Sequence, residues 1–130
     1  MARPTSDHPT ELELTILKIL WQSAPQTADE VREELEDSGR KLARSSVITV
    51  MNIMVGKEYL ERRKRGRAYE FSPTLESQTV ERGMLQDLVR RVFDGSAHSV
   101  MLELLETADV DAEELRKIRT LINRKAKEIK

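Results

Sequence analysis

Cysteine is absent from the 130 residues, which excludes disulfides, thiolate metal ligands and cysteine nucleophiles together. Histidine is scarce as well. His8 and His98 lie far apart in the chain and have no thiolates to join them, so no metal and no cofactor are expected. Aromatics are only 4% of the chain, and the single tryptophan, Trp21, ends an apolar run, where a packing anchor suits it better than a stacking platform. No apolar run nears the roughly 20 residues that span a bilayer, and the opening MARPTSDHPT lacks the apolar centre of a signal peptide. A cytoplasmic protein without membrane insertion is expected. There is no phosphate-cradling loop and no nucleophile elbow, and carboxylate pairs such as Glu113–Glu114 sit where they complement a helix dipole, so no enzyme is expected.

Charge, by contrast, is plentiful: 35% of the residues carry one, against roughly 25% in an average globular domain. The net charge of −1 hides a strong division. Residues 1–39 sum to −6, whereas residues 40–67 sum to +7 within 28 positions. A basic stretch of that density in a near-neutral chain marks a polyanion site.

Local pattern gives that stretch a setting. Leu12, Ile16, Ile19 and Leu20 recur at helical spacing, widened by Leu14, Leu17 and Trp21. The start of this helix has two candidates, Pro9 as a first helical residue or a Thr10/Glu13 capping box. Ser23 to Gln26 reads as a turn, after which Thr27 and Glu30 form a second capping box and open a helix through about Glu36, with Val31 and Leu35 inward. From Ser45 a third helix sets Val47, Val50, Met51 and Met54 toward a core. At about 100° per residue, Ser45, Thr49, Asn52 and Gly56 fall on its opposite side. That row is small or hydrogen-bonding. Such residues can approach base edges, where Asn is able to pair bidentately with adenine.

Two short strands follow, Glu58–Arg63 and Ala68–Phe71, around a basic tip of Lys64, Arg65, Gly66 and Arg67, with Pro73 closing the second. Three helices and a two-stranded ribbon, with cations before the third helix and on the ribbon, are the order of a winged helix-turn-helix. The expected fold is mainly α with a small β-hairpin. Residues 1–73 would form the DNA-binding domain, its candidate contacts being Lys41, Arg44, Ser45, Ser46, Thr49, Asn52, Arg63, Lys64, Arg65 and Arg67. The alternative is a winged-helix interaction module whose basic ribbon binds an acidic protein partner.

The stretches Leu12–Trp21, Thr27–Val31 and LARSSVITVMNIMVGKEYLERRKRGRAYEFSP resemble the penicillinase-repressor family of bacterial transcriptional regulators, the BlaI/MecI/CopY type. The most specific matches are Thr49-Val50-Met51-Asn52 in the recognition helix and Gly66-Arg67-Ala68-Tyr69 in the wing. The resemblance implies a homodimer that binds a double-stranded operator of dyad symmetry and represses transcription. It also implies, for some members, release when a membrane-bound sensor metalloprotease cuts the repressor. Three departures stand out. Glu58 occupies the place of a usual Gly after the recognition helix, with Gly56 two residues earlier, and Ile53 replaces a frequent Arg. The Asn-Phe pair cut in β-lactam-responsive members aligns with Glu103-Leu104, and the C-terminal cysteines of the copper type are missing.

Residues 74–130 show no strand pattern and read as three helices. One ends at Asp94-Gly95, a second is capped by Ser96, and a third opens at the Asp111/Glu114 pair. Their apolar stripes exceed what one thin layer of helices buries. Burial against a second copy is expected, with folding back on the N-terminal domain as the alternative. The candidate dimerisation residues are Val89, Phe93, Val100, Leu104, Leu115, Ile118 and Ile122.

Overall fold

The computed structural model describes residues 8–129; the opening residues 1–7, most of the segment read as lacking a signal peptide, lie outside it. The chain divides into two compact units, Met1–Leu85 and Gln86–Lys130. The first unit contains helix α1 (Glu11–Gln22), strand β1 (Gln26–Thr27), helices α2 (Ala28–Asp37) and α3 (Arg44–Gly56), strands β2 (Leu60–Arg65) and β3 (Ala68–Pro73), and the start of α4 (Ser77–Val92).

Both expected capping boxes form. Thr10 Oγ1 accepts from the Glu13 N–H at 3.2 Å while Glu13 Oε1 accepts from the Thr10 N–H at 2.8 Å, which settles the start of α1 in favour of Thr10 over Pro9. Thr27 and Glu30 repeat the arrangement at α2, again at 3.2 and 2.8 Å. The apolar faces of the three helices close on one another as their spacing requires, through Ile16, Leu17 and Leu20, then Val31 and Leu35, then Val47, Met51 and Met54. Leu60 and Phe71 from the ribbon complete this core. Trp21 packs at its edge and its indole donates to the Leu75 carbonyl at 2.8 Å, so the single tryptophan ties α1 to the segment before α4.

The ribbon departs from its expected bounds. Glu58 and Tyr59 belong to the end of α3: the Tyr59 N–H donates to Met54 O at 2.9 Å and the Glu58 N–H to Val55 O at 3.0 Å. That is a Schellman ending with Glu58 in the left-handed region, φ +66°. The same ending closes α2, where Gly39 at φ +99° precedes Arg40, whose N–H donates to Leu35 O at 2.8 Å. Strand β2 therefore starts two residues late and runs through Arg65, which faces Ala68. The turn is only Gly66 and Arg67, with Gly66 at φ +61° as the first position of a two-residue hairpin loop permits. Lys64 and Arg65 are thus strand residues, not tip residues. The stretch read as a simple turn also yields β1, which adds to β3 with Gln26 opposite Phe71, giving the sheet order β1-β3-β2. Two residues carry too little periodicity to be seen as a strand in sequence.

The second unit holds the rest of α4, then α5 (Ala97–Thr107) and α6 (Ala112–Ile129). Ser96 Oγ accepts from the Ser99 N–H at 3.1 Å, and Asp111 accepts from the Glu114 N–H at 2.9 Å, as both caps were expected to do. Helix α6 has no buried residue at all. Among the described residues, no helix is long and apolar enough to cross a membrane.

Candidate nucleic-acid interface

Burying Val47, Met51 and Met54 turns the opposite side of α3 outward. Ser45, Ser46, Thr49 and Gly56 are exposed, Asn52 is half-buried, and Ile53 is 49% exposed. The row expected from sequence is therefore presented on one helix face.

Cross-strand register divides the ribbon's cations between two faces. Arg62 faces Phe71 and Lys64 faces Tyr69, whereas Arg63 faces Glu70 and Arg65 faces Ala68. Since Phe71 and Leu60 are buried, Arg62 and Lys64 share the face that looks toward the helices, and Arg63 and Arg65 stand on the other. Two contacts join the first face to α3. Arg62 Nη1 donates to Asn52 Oδ1 at 2.6 Å, and the Arg62 guanidinium lies 4.5 Å from the centre of the Tyr69 ring. Between α2, α3 and the ribbon runs a groove of about 210 Å³ lined by Asp29, Arg44, Ile48, Asn52, Arg67 and Tyr69.

The +7 stretch is less available than its sum suggests. Lys57 Nζ lies 2.9 Å from Glu13, Arg44 Nε lies 2.7 Å from Asp29, and Arg65 Nη1 lies 2.6 Å from Glu70. The Glu70 hydrogen bond, followed by its charge, raises the pKa of Arg65 above the ordinary arginine value, with Glu30 adding a smaller effect. Among the described residues, Lys41, Arg63, Lys64 and Arg67 have no ion pair and all are exposed. Arg62 is not among the candidate contacts read from sequence, where Tyr69 stands only as part of the wing match. The signal was present in the alternation, since Arg62 is two residues from the core residue Leu60 and so shares its face.

The family model for the penicillinase repressor matches residues 9–124. The chain belongs to that family. Its members are DNA-binding transcriptional repressors and not enzymes. The chain is similar to the methicillin resistance regulatory protein MecI of Mammaliicoccus sciuri, with 20% identity over 113 residues covering 87% of this chain and 91% of that protein. It is similar also to the penicillinase repressor of Bacillus licheniformis, with 22% identity over 113 residues covering 87% and 88%. In fold it is like RosR of H. salinarum, with a TM-score of 0.51 and 18% identity over 94% of this chain and 97% of the other. The PcaV transcriptional regulator of Streptomyces coelicolor is similar at a TM-score of 0.50, with 19% identity over 96% and 79%.

In the second unit the residues singled out in sequence differ in burial. Leu104, Leu115 and Ile122 are exposed, Val89, Phe93 and Ile118 are half-buried, and Val100 is buried. Leu102, Leu105, Leu121 and Ile129 add further exposed apolar surface, Ile129 being 75% exposed. Glu103 and Leu104 are both exposed in the middle of α5, and Thr107 Oγ1 donates to the Glu103 carbonyl at 2.6 Å.

Proposed function

We propose that this repressor binds a dyad-symmetric DNA operator as a homodimer, with α3 of each copy in the major groove and the ribbon on the flanking phosphates. The observation that carries this reading is the row of exposed Ser45 and Thr49 with half-buried Asn52 on the outer side of α3, bordered by the unpaired cations Lys41, Lys64 and Arg67. Hydrogen-bonding side chains read bases, and unpaired cations replace condensed counterions on phosphates. Exposed Leu104, Leu115 and Ile122 support burial of the second unit against a second copy, because α6 has no fully buried residue within the chain and only Ile118 of its candidate seam residues is half-buried. Two linked half-site contacts then supply the effective concentration that one copy lacks. Selection from random duplexes tests the reading: a repeated half-site related by a dyad is expected, and a salt-sensitive binding with no preferred sequence would favour an acidic protein partner instead.

Release by a sensor metalloprotease extends the same reading. A cut at Glu103–Leu104 would remove α6 from the DNA-binding unit and with it the proposed seam. Because the bond lies inside a helix whose carbonyl also accepts from Thr107, α5 must open locally before any protease can take it. Intact mass during derepression separates the cases, a fragment ending at Glu103 supporting cleavage and an unbroken 15.0 kDa chain excluding it.

A further inference from the structure

The guanidinium of Arg62 has donors and no acceptor, so the Asn52 atom it meets at 2.6 Å is the amide oxygen. That contact fixes which way the amide faces. Its oxygen points back toward the ribbon, and the NH2 group is the part left to act on a ligand. Arg62 is itself held from a second side, over the Tyr69 ring at 4.5 Å, so its position does not depend on Asn52 alone. Asn52 is half-buried and lines the groove together with Ile48.

Bidentate pairing with adenine needs both ends of an amide, the oxygen to accept from N6 and the NH2 to donate to N7. Here Arg62 occupies one of the oxygen's two lone pairs, and the positive charge of the guanidinium disfavours a second donor, such as the adenine N6 amino group, on the other. Guanine presents two acceptors in the major groove, N7 and O6, and no donor there. We infer that Arg62 is a positioning residue that converts Asn52 from an adenine reader into a donor-only reader of guanine. This rests on the reading of α3 as the base-contacting helix, and it changes what that helix prefers.

Selection from random duplexes with the full-length protein gives the operator, and Asn52→Ala then identifies the base pair whose discrimination collapses. Wild type is expected to prefer guanine over adenine at that pair by on the order of tenfold, within the range of one bidentate contact. Arg62→Ala is expected to erase or reverse that preference while leaving the other positions of the operator unchanged. In an Asn52→Ala background, Arg62→Ala is expected to have no further effect at that pair. Adenine preferred by wild type, or an Arg62→Ala protein with unaltered preference, overturns the assignment. A shift that persists in the Asn52→Ala background also overturns it, since Arg62 would then touch the base directly. Failure of wild type to select any dyad sequence overturns the base-reading role of α3 itself, a different result from selection of a dyad with adenine at that pair. Arg62 is exposed, and a circular dichroism spectrum matching wild type identifies variants whose altered preference reflects the site.

Discussion

The carboxylate of Glu13 and the ammonium of Lys57 lie 2.9 Å apart, joining the first turn of α1 to the residue that caps α3. Glu13 is only 3% exposed and Lys57 is half-buried over the Tyr59 ring, 5.8 Å from its centre. A residue that reads in sequence as a helix cap is thus also the buried end of a tertiary ion pair.

Glu13→Ala removes the capping box and the partner of Lys57 in one change and is expected to cost about 2–4 kcal/mol in urea unfolding. Lys57→Gln is expected to destabilise as well, because it leaves the Glu13 carboxylate buried with only the Thr10 N–H and its cap geometry. It should leave the salt dependence of DNA binding unchanged. Lys57 lies within the +7 stretch, and a reduced salt slope in this variant would assign it to the DNA surface.

Glu58 takes the left-handed conformation that glycine adopts without cost, at φ +66°, and its side chain contributes nothing to the Schellman bonds made by the backbone. Glu58→Gly is expected to raise stability by roughly 0.5–1 kcal/mol, the relief at Cβ exceeding the added freedom of the unfolded chain. Gly39→Ala, at the equivalent position after α2, is expected to lower it by a similar amount. Chemical denaturation of both variants at one pH measures the pair, and a destabilised Glu58→Gly protein would show that the Glu58 side chain makes a contribution of its own.

Much of the fold was legible because its rules are local. The capping residues Thr10, Thr27, Ser96 and Asp111 lie three residues from the groups they bind, and Val47, Met51 and Met54 follow the helical period that buries them. What escaped depends on residues distant in sequence. The Glu13–Lys57, Arg62–Asn52 and Asp29–Arg44 pairs each link separate elements, and no spacing announces them. The shift of β2 toward Arg65 has the same origin, since only the Tyr59 bond to Met54 shows that the helix ending claims the first two residues.

The wing cations should not contribute equally. Lys64→Ala and Arg67→Ala are each expected to weaken binding to all duplexes and to reduce the salt slope by about one unit. Arg65→Ala, grouped with them from sequence alone, is expected to reduce it by less, because its guanidinium is already bonded to Glu70. Fluorescence anisotropy on operator and unrelated DNA across a salt series distinguishes the three. Thr49→Ala, on the base-facing row, should instead lose on the order of 1 kcal/mol on the operator and little on unrelated DNA.

Acid should act on α2 through Glu30. Its pKa is held below the ordinary carboxylate value chiefly by the bond from the Thr27 backbone N–H and then by the Thr27 side chain, with a smaller effect of Arg65. A carboxyl whose folded pKa is depressed adds stability that is complete above its unfolded pKa and is lost as pH falls through the folded one. The contribution is therefore expected to be full near neutrality and to fade below the ordinary carboxylate range. Glu30→Gln keeps an acceptor for the capping box but removes the titration, so wild type and variant should differ more at pH 7 than at pH 3 in urea midpoint. An equal difference at both would remove Glu30 from the acid response.

Ile122→Asp tests the proposed seam with the least disturbance to the chain. Ile122 is 53% exposed, so an aspartate there meets water in a single copy, whereas in a seam it places a charge among apolar side chains without a partner. The variant is expected to fold with an unchanged circular dichroism spectrum, to sediment as a monomer, and to bind an isolated half-site as wild type does at equal concentration of DNA-binding units. Affinity for the full operator should fall by roughly 10²-fold or more, the usual return from linking two sites. A variant that remains dimeric would move the seam off this face of α6, and one that becomes monomeric yet keeps full operator affinity would detach operator binding from dimerisation altogether.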